Sequence, residues 1–181
     1  LVEDLREVKT AEEVAKVRQA LDITEKVFTE VAALLRPGLS ERRVAWEIER
    51  RLREEGAEGL AFPPIVAAGA NSARPHHRPG DYPLQTGEPI LIDMGARISG
   101  YCADLTRTII LGEATERFRE IYGIVRRAQA TAEAARAFGL AFRVDDTTFE
   151  RYKEFGIDLD PDTVEQLIHL SNARNQGKPG A

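Results

Sequence analysis

The chain has 181 residues, 43% of them hydrophobic, and a formal net charge of −5. That is enough apolar material for one core of domain size, and an acidic balance with interspersed signs excludes a surface built for nucleic acid. No apolar run reaches the ~20 residues of a membrane span, and a single cysteine, Cys102, excludes an internal disulfide and fits a cytoplasmic setting.

Thr10 with Glu13 three residues on is a capping box, so a helix is expected to start there. Val14, Val17, Leu21, Thr24, Phe28, Val31 and Leu35 then recur at helical spacing until Arg36-Pro37-Gly38 stops them. Ser40 is an N-cap for a second helix, with Leu39 and Val44 as a hydrophobic staple and Val44, Ile48 and Leu52 as its buried stripe up to Gly56. Its charged remainder, Glu49-Arg50-Arg51 and Arg53-Glu54-Glu55, is expected on a solvated face. Phe62-Pro63-Pro64 leads into a short strand at residues 65–68, followed by a loop rich in Gly, Asn, Pro and His.

Residues 90–112 read as two strands joined at Ser99-Gly100, a two-residue turn carrying the Gly that tight hairpins need. That turn sets Ile98 opposite Tyr101, Arg97 opposite Cys102, Gly95 opposite Asp104 and Asp93 opposite Thr106. Alternation puts Ile92, Met94, Ala96, Ile98, Tyr101, Ala103 and Leu105 on a core face. Asp93, Gly95, Arg97, Cys102, Asp104, Thr106 and Thr108 share the other. Asp93 and Asp104 are diagonal neighbours there, with Cα atoms roughly 7–8 Å apart. Two carboxylates at that separation can share one or two divalent ions, which two-metal sites hold about 3.5–4 Å apart. The competing reading is two solvated carboxylates on the wet face of a hairpin. After the hairpin, Thr115 caps a helix with the stripe Phe118, Ile121, Tyr122, Val125, Ala128 and Ala132.

The run DMGARISGYCADLTRT resembles the first metal-ligand motif of the pita-bread metallopeptidases: methionine aminopeptidase, aminopeptidase P and prolidase. Leu105-Thr106-Arg107-Thr108 is closer to the proline-specific branch, and the resemblance extends from about Lys9 to Gly139. It implies an α+β fold, helices packed on an antiparallel sheet as one half-unit of the pita-bread pattern, with a short helical C-terminal segment. It also implies a divalent metal (Mn, Co or Zn) held by Asp93 and Asp104, a peptide substrate, and hydrolysis of Xaa-Pro bonds. Asn71-Ser72-Ala73-Arg74-Pro75-His76 resembles the segment whose His touches substrate. His76 takes that role by resemblance, with His77 its neighbour and an incidental polar loop as the alternative.

The family's second half supplies a His and two Glu from motifs that this sequence does not contain. Residues 1–140 are therefore expected to be the N-terminal half of a peptidase-like domain, and residues 141–181 a helical segment and tail of different character. In that segment Asp160-Pro161 starts a short helix carrying Val164, Leu167 and Ile168. Glu165 and His169 stand four apart on it, a spacing that chelates a metal but is ordinary for an exposed pair. Glu150 and Glu154 are the other candidates for replacement ligands. The chain starts at Leu1 rather than Met, which fits a processed product or a fragment. Two functions follow: a dinuclear Xaa-Pro peptidase, incomplete and catalytically weak as this chain alone, or a truncated or recombined half-domain acting as an assembly module. A homodimer is expected to cover the open sheet face, the alternative being a monomer in which residues 142–181 fold back over it.

Overall fold

The structure, a computed structural model, describes residues 8–137, as two compact units divided between Thr115 and Glu116. In the first, helix α1 (Ala11–Ala32) opens with the expected capping box. The Thr10 hydroxyl accepts the Glu13 amide at 3.3 Å, and the Glu13 carboxylate accepts the Thr10 amide at 2.7 Å. Glu13 also accepts from the Tyr101 hydroxyl at 2.8 Å, which ties the helix start to the hairpin. The buried stripe is Ala20, Thr24, Val27 and Val31, rotated from the expected one; Leu21 and Phe28 flank it, and Val14 is exposed. The helix also stops before the expected Arg36. The amides of Leu34 and Leu35 bond three residues back, to Val31 and Ala32, and that tighter winding ends the α-helix while keeping Leu35 in the core.

Helix α2 (Glu41–Glu54) is capped by Ser40, whose hydroxyl accepts the Arg43 amide, and it buries Val44, Ile48 and Leu52 as expected. Its charged face is laced by near-neighbour pairs, Arg50 with Glu47 and Glu54, and Arg53 with Glu49. Arg51, 3.8 Å from Glu47 in the same pattern, also reaches Glu30 of α1 at 2.5 Å.

Two three-stranded sheets follow. Strands β1 (Gly59–Leu60), β4 (Ala96–Ile98) and β5 (Tyr101–Cys102) form one. Strands β2 (Ile65–Ala68), β3 (Pro89–Met94) and β6 (Leu105–Ile110) form the other, with β3 in the centre. The register is the one the turn dictates: Ile98 pairs Tyr101, Arg97 pairs Cys102 and Asp93 pairs Thr106. Ser99 and Gly100 have φ of 49° and 78°, the two left-handed residues of a type I′ turn. The Glu58 carboxylate accepts both of their amides, at 2.8 and 3.3 Å.

The continuous hairpin expected from the sequence is instead divided between the two sheets. Gly95 lies at the break, so close to the returning strand that a Cβ built on it would stand 1.9 Å from the Ala103 carbonyl oxygen. Its own carbonyl accepts the Ala61 amide at 2.8 Å. Residues 59–60 gave no strand signal because two residues carry no period. Ile90, Ile92, Met94 and Ala96 are fully buried beneath α1 and α2.

In the second unit, helix α3 (Glu116–Ala137) forms over the expected stretch, with Phe118 and Tyr122 stacked at 6.0 Å between centroids, while Ile121, Tyr122 and Val125 of the expected stripe are exposed. The boundary near residue 140 and the short helix after Asp160 lie outside the described residues, as do Glu150, Glu154, Glu165 and His169. Among the described residues no helix is long and apolar enough to cross a membrane.

Candidate functional site

A cavity of about 410 Å³ opens on the polar face of the hairpin. Its apolar wall is Phe62, Pro63, Pro64 and Ile65, its loop side runs from His76 to Pro79, and its floor carries Asp93 and Asp104. The three residues singled out from the sequence are thus brought to one place.

Asp93 sits on the central strand, paired with Ile65 on one side and Thr106 on the other, so its backbone is fixed by ladders at both edges. Ile92 and Met94 point into the core, which by alternation sends Asp93 to the cavity. Its Oδ1 is buried with no hydrogen-bond partner. Burial pushes its pKa above the ordinary Asp value; a hydrogen bond with Thr106 opposes this, and the neighbouring Asp104 carboxylate adds to the rise. Asp104 is exposed, in the gap between β5 and β6 where the ladder opens opposite Gly95. A half-buried carboxylate with an unpaired oxygen, beside a second carboxylate, is a donor set suited to a hard divalent cation. Among the described residues no group of three or more His, Cys, Asp or Glu side chains is placed to hold one.

His76 comes from the loop after the 3₁₀ turn Gly69–Ala73 and has a φ of 57°. Its neighbour His77 lines the cavity too, but its ring is engaged by Glu41. The His77 Nε2 lies 2.8 Å from Oε2 of Glu41, which is fully buried. The Gly80 amide donates to the same oxygen at 3.1 Å. Oε1 accepts the Ala68 amide at 2.8 Å and the Asn71 side-chain amide at 3.0 Å. Burial raises the Glu41 pKa, but the hydrogen bonds from Ala68, His77, Asn71 and Gly80 outweigh it and hold the group below the ordinary Glu value.

Sequence reasoning passed over Glu41. As the first residue of a capped helix it reads as an ordinary dipole-favoured acid, and its side-chain partners lie 27 to 39 positions away. The adjacent histidines gave no sign of it, since both line the cavity and what separates them is the bond from His77 to Glu41.

Comparison with known proteins follows the same outline. The description of metallopeptidase family M24 matches residues 15–169. The Xaa-Pro dipeptidase of Pyrococcus furiosus is 38% identical over 157 residues, which are 86% of this chain and 45% of that protein. Among solved structures, the X-Pro aminopeptidase of Thermotoga maritima superposes with a TM-score of 0.71 at 41% identity, covering 72% of this chain and 37% of its own. The prolidase of Pyrococcus furiosus gives 0.70 at 39% identity, covering 72% and 39%. The chain thus spans 38% to 45% of the length of the first two curated relatives it matches. The shared region is an α+β unit of helices on antiparallel sheets, the half of the pita-bread pattern read from the sequence.

Proposed function

We propose, for a chain that belongs to metallopeptidase family M24, that it carries the first half of an Xaa-Pro peptidase site. In this reading Asp93 and Asp104 hold a divalent cation (Mn, Co or Zn), and His76 contacts a short peptide lying against Phe62, Pro63 and Pro64. The observation that carries it is the unpaired, buried Oδ1 of Asp93 beside Asp104 on the floor of the cavity. A buried carboxylate oxygen without a donor is costly, and a cation shared with Asp104 removes that cost and their mutual repulsion together. A divalent ion bound there supplies a Lewis acid and an acidified water for hydrolysis. The chain's own residues bind the ion through the two carboxylates, present an apolar wall to a proline-containing peptide and offer the His76 imidazole for hydrogen bonding.

Two carboxylates without the further His and Glu of the family's second half make a weak site, so the chain alone is read as incomplete. Calorimetric titration of the purified chain with Mn²⁺ tests the metal assignment. Weak binding is expected, lost in Asp93→Asn and in Asp104→Asn; a wild type that binds none of Mn²⁺, Co²⁺ or Zn²⁺ would sink it. An Xaa-Pro dipeptide assay on the same sample should give little or no turnover. Robust turnover abolished by Asp104→Ala would disprove the incompleteness and send the search for ligands to residues 138–181.

A further inference from the structure

We infer that Glu41 is the positioning residue for His76: it clamps the loop on both sides of that histidine and so presents the imidazole to the Asp93–Asp104 cavity. The substrate role of His76 rests on the function proposed above; the clamp itself rests on geometry.

His76 is the unusual residue. A φ of 57° places a side-chain-bearing residue in the left-handed region, a strained conformation for an L residue that persists where surrounding structure over-determines it. Nothing in the local sequence demands it, since neither a Gly nor an Asn occupies the position. The over-determination comes from one carboxylate. Glu41 binds Asn71, five residues before His76, and His77 and Gly80, one and four residues after it. Its fourth bond, to the Ala68 amide, fixes the point where the loop leaves strand β2. Both ends of the segment and its middle therefore converge on a single buried side chain. With the His77 ring held to Glu41, the chain direction at the preceding residue is set, and the His76 side chain lines the cavity beside it.

Position matters in such a site because a shift of ~1 Å in a contacting group can cost about 10²-fold in rate. An anchor outside the cavity that fixes the loop from beneath has the form of a preorganising support. Glu41 itself touches neither Asp93 nor Asp104 among its hydrogen-bond partners. A clamp of purely structural purpose would hold the loop without dictating where His76 points.

Solution NMR on the full chain distinguishes these. The chain has three histidines, so ring signals are assigned by single substitutions. Two signatures of His76 are read: the strong intraresidue amide–Hα Overhauser effect of a left-handed backbone, and the broadening of its ring signals by Mn²⁺ alone. In Glu41→Gln an amide group meets the Gly80 N–H donor, and that end of the clamp opens. His77→Leu removes the His77 arm, and His77→Gln restores an N–H donor of similar reach. The expected result is loss of the left-handed signature and a several-fold fall in Mn²⁺ broadening at His76 in Glu41→Gln and His77→Leu, with wild-type behaviour in His77→Gln. His76 signals unchanged in Glu41→Gln and His77→Leu overturn the inference, and so does a His77→Gln chain that behaves like His77→Leu. Mn²⁺ that leaves the Asp93 and Asp104 signals of the wild type sharp would instead refute the metal assignment. The Overhauser signature, which needs no metal, then decides the clamp by itself.

Discussion

The Thr24 hydroxyl accepts the Ala96 amide at 3.0 Å and donates its own proton to the Ala20 carbonyl at 2.7 Å. Both Thr24 and Ala96 are fully buried, and Ala96 is the residue just past the break between β3 and β4. The helix thus supplies an acceptor where the hairpin divides between its two sheets. Thr24→Val, nearly isosteric, leaves that amide buried and unpaired and is expected to cost about 1–3 kcal/mol. Thr24→Ser keeps the hydroxyl and should cost less. Urea midpoints of the two variants check this; equal losses would show that the bond contributes nothing.

Gly95→Ala should be more damaging than a typical glycine replacement. The new methyl would meet the Ala103 carbonyl carbon at 2.8 Å as well as its oxygen, and both are backbone atoms that move only with the strand. Overpacking of this kind costs about 1–3 kcal/mol. Gly100→Ala meets nothing within 4 Å but is strained by its φ of 78°. Thermal unfolding should rank Gly95→Ala below Gly100→Ala, and it should also disturb the Asp104 amide signal opposite.

Asp93 works against the stability of the metal-free chain. Because burial raises its folded pKa, its contribution is fully present below the unfolded value of 3.8 and is lost as pH rises through the raised folded value. Asp93→Asn removes that loss and should stabilise the metal-free protein at neutral pH by up to about 1 kcal/mol, since a half-buried charge whose Oδ1 has no donor is exchanged for a neutral amide. The same variant should gain nothing from added Mn²⁺, whereas the wild type's melting temperature rises with it. A wild type and an Asp93→Asn protein with identical melting curves in both conditions would refute this account.

Glu41 has the opposite sign. Its folded pKa lies below the unfolded 4.5, so its contribution is complete above that value and disappears as pH falls through the folded one. Acid unfolding of the wild type should therefore be steeper below pH 4.5 than that of Glu41→Gln, while Glu41→Gln should be weaker by about 1–3 kcal/mol at neutral pH. Parallel curves would show that the four donors do not favour the ionised form.

What could be read from the sequence follows the range of the interactions. The hairpin register was legible because a two-residue turn fixes it locally, and the placement of Asp93 and Asp104 on one face followed from a period of two. The starts of α1 and α2 were legible because Thr10 and Ser40 act within three residues. The stripe of α1 was displaced because its true centre, Ala20 and Thr24, is set by what packs against it. Neither the split at Gly95 nor the clamp by Glu41 had a local sign. One depends on the approach of Ala103 and the other on partners contributed by a distant loop.

The hairpin also bears on the order in which the chain assembles. Its ladder closes through a turn of two residues, whereas the bond from Thr24 to Ala96 spans 72 positions. Short loops close at little entropic cost and long ones late. The hairpin is therefore the early element and α1 the late arrival, and until it docks the Ala96 amide stays wet and one flank of Met94 uncovered. Kinetically, the loss in Thr24→Val should fall on the unfolding rate and that in Gly95→Ala on the folding rate.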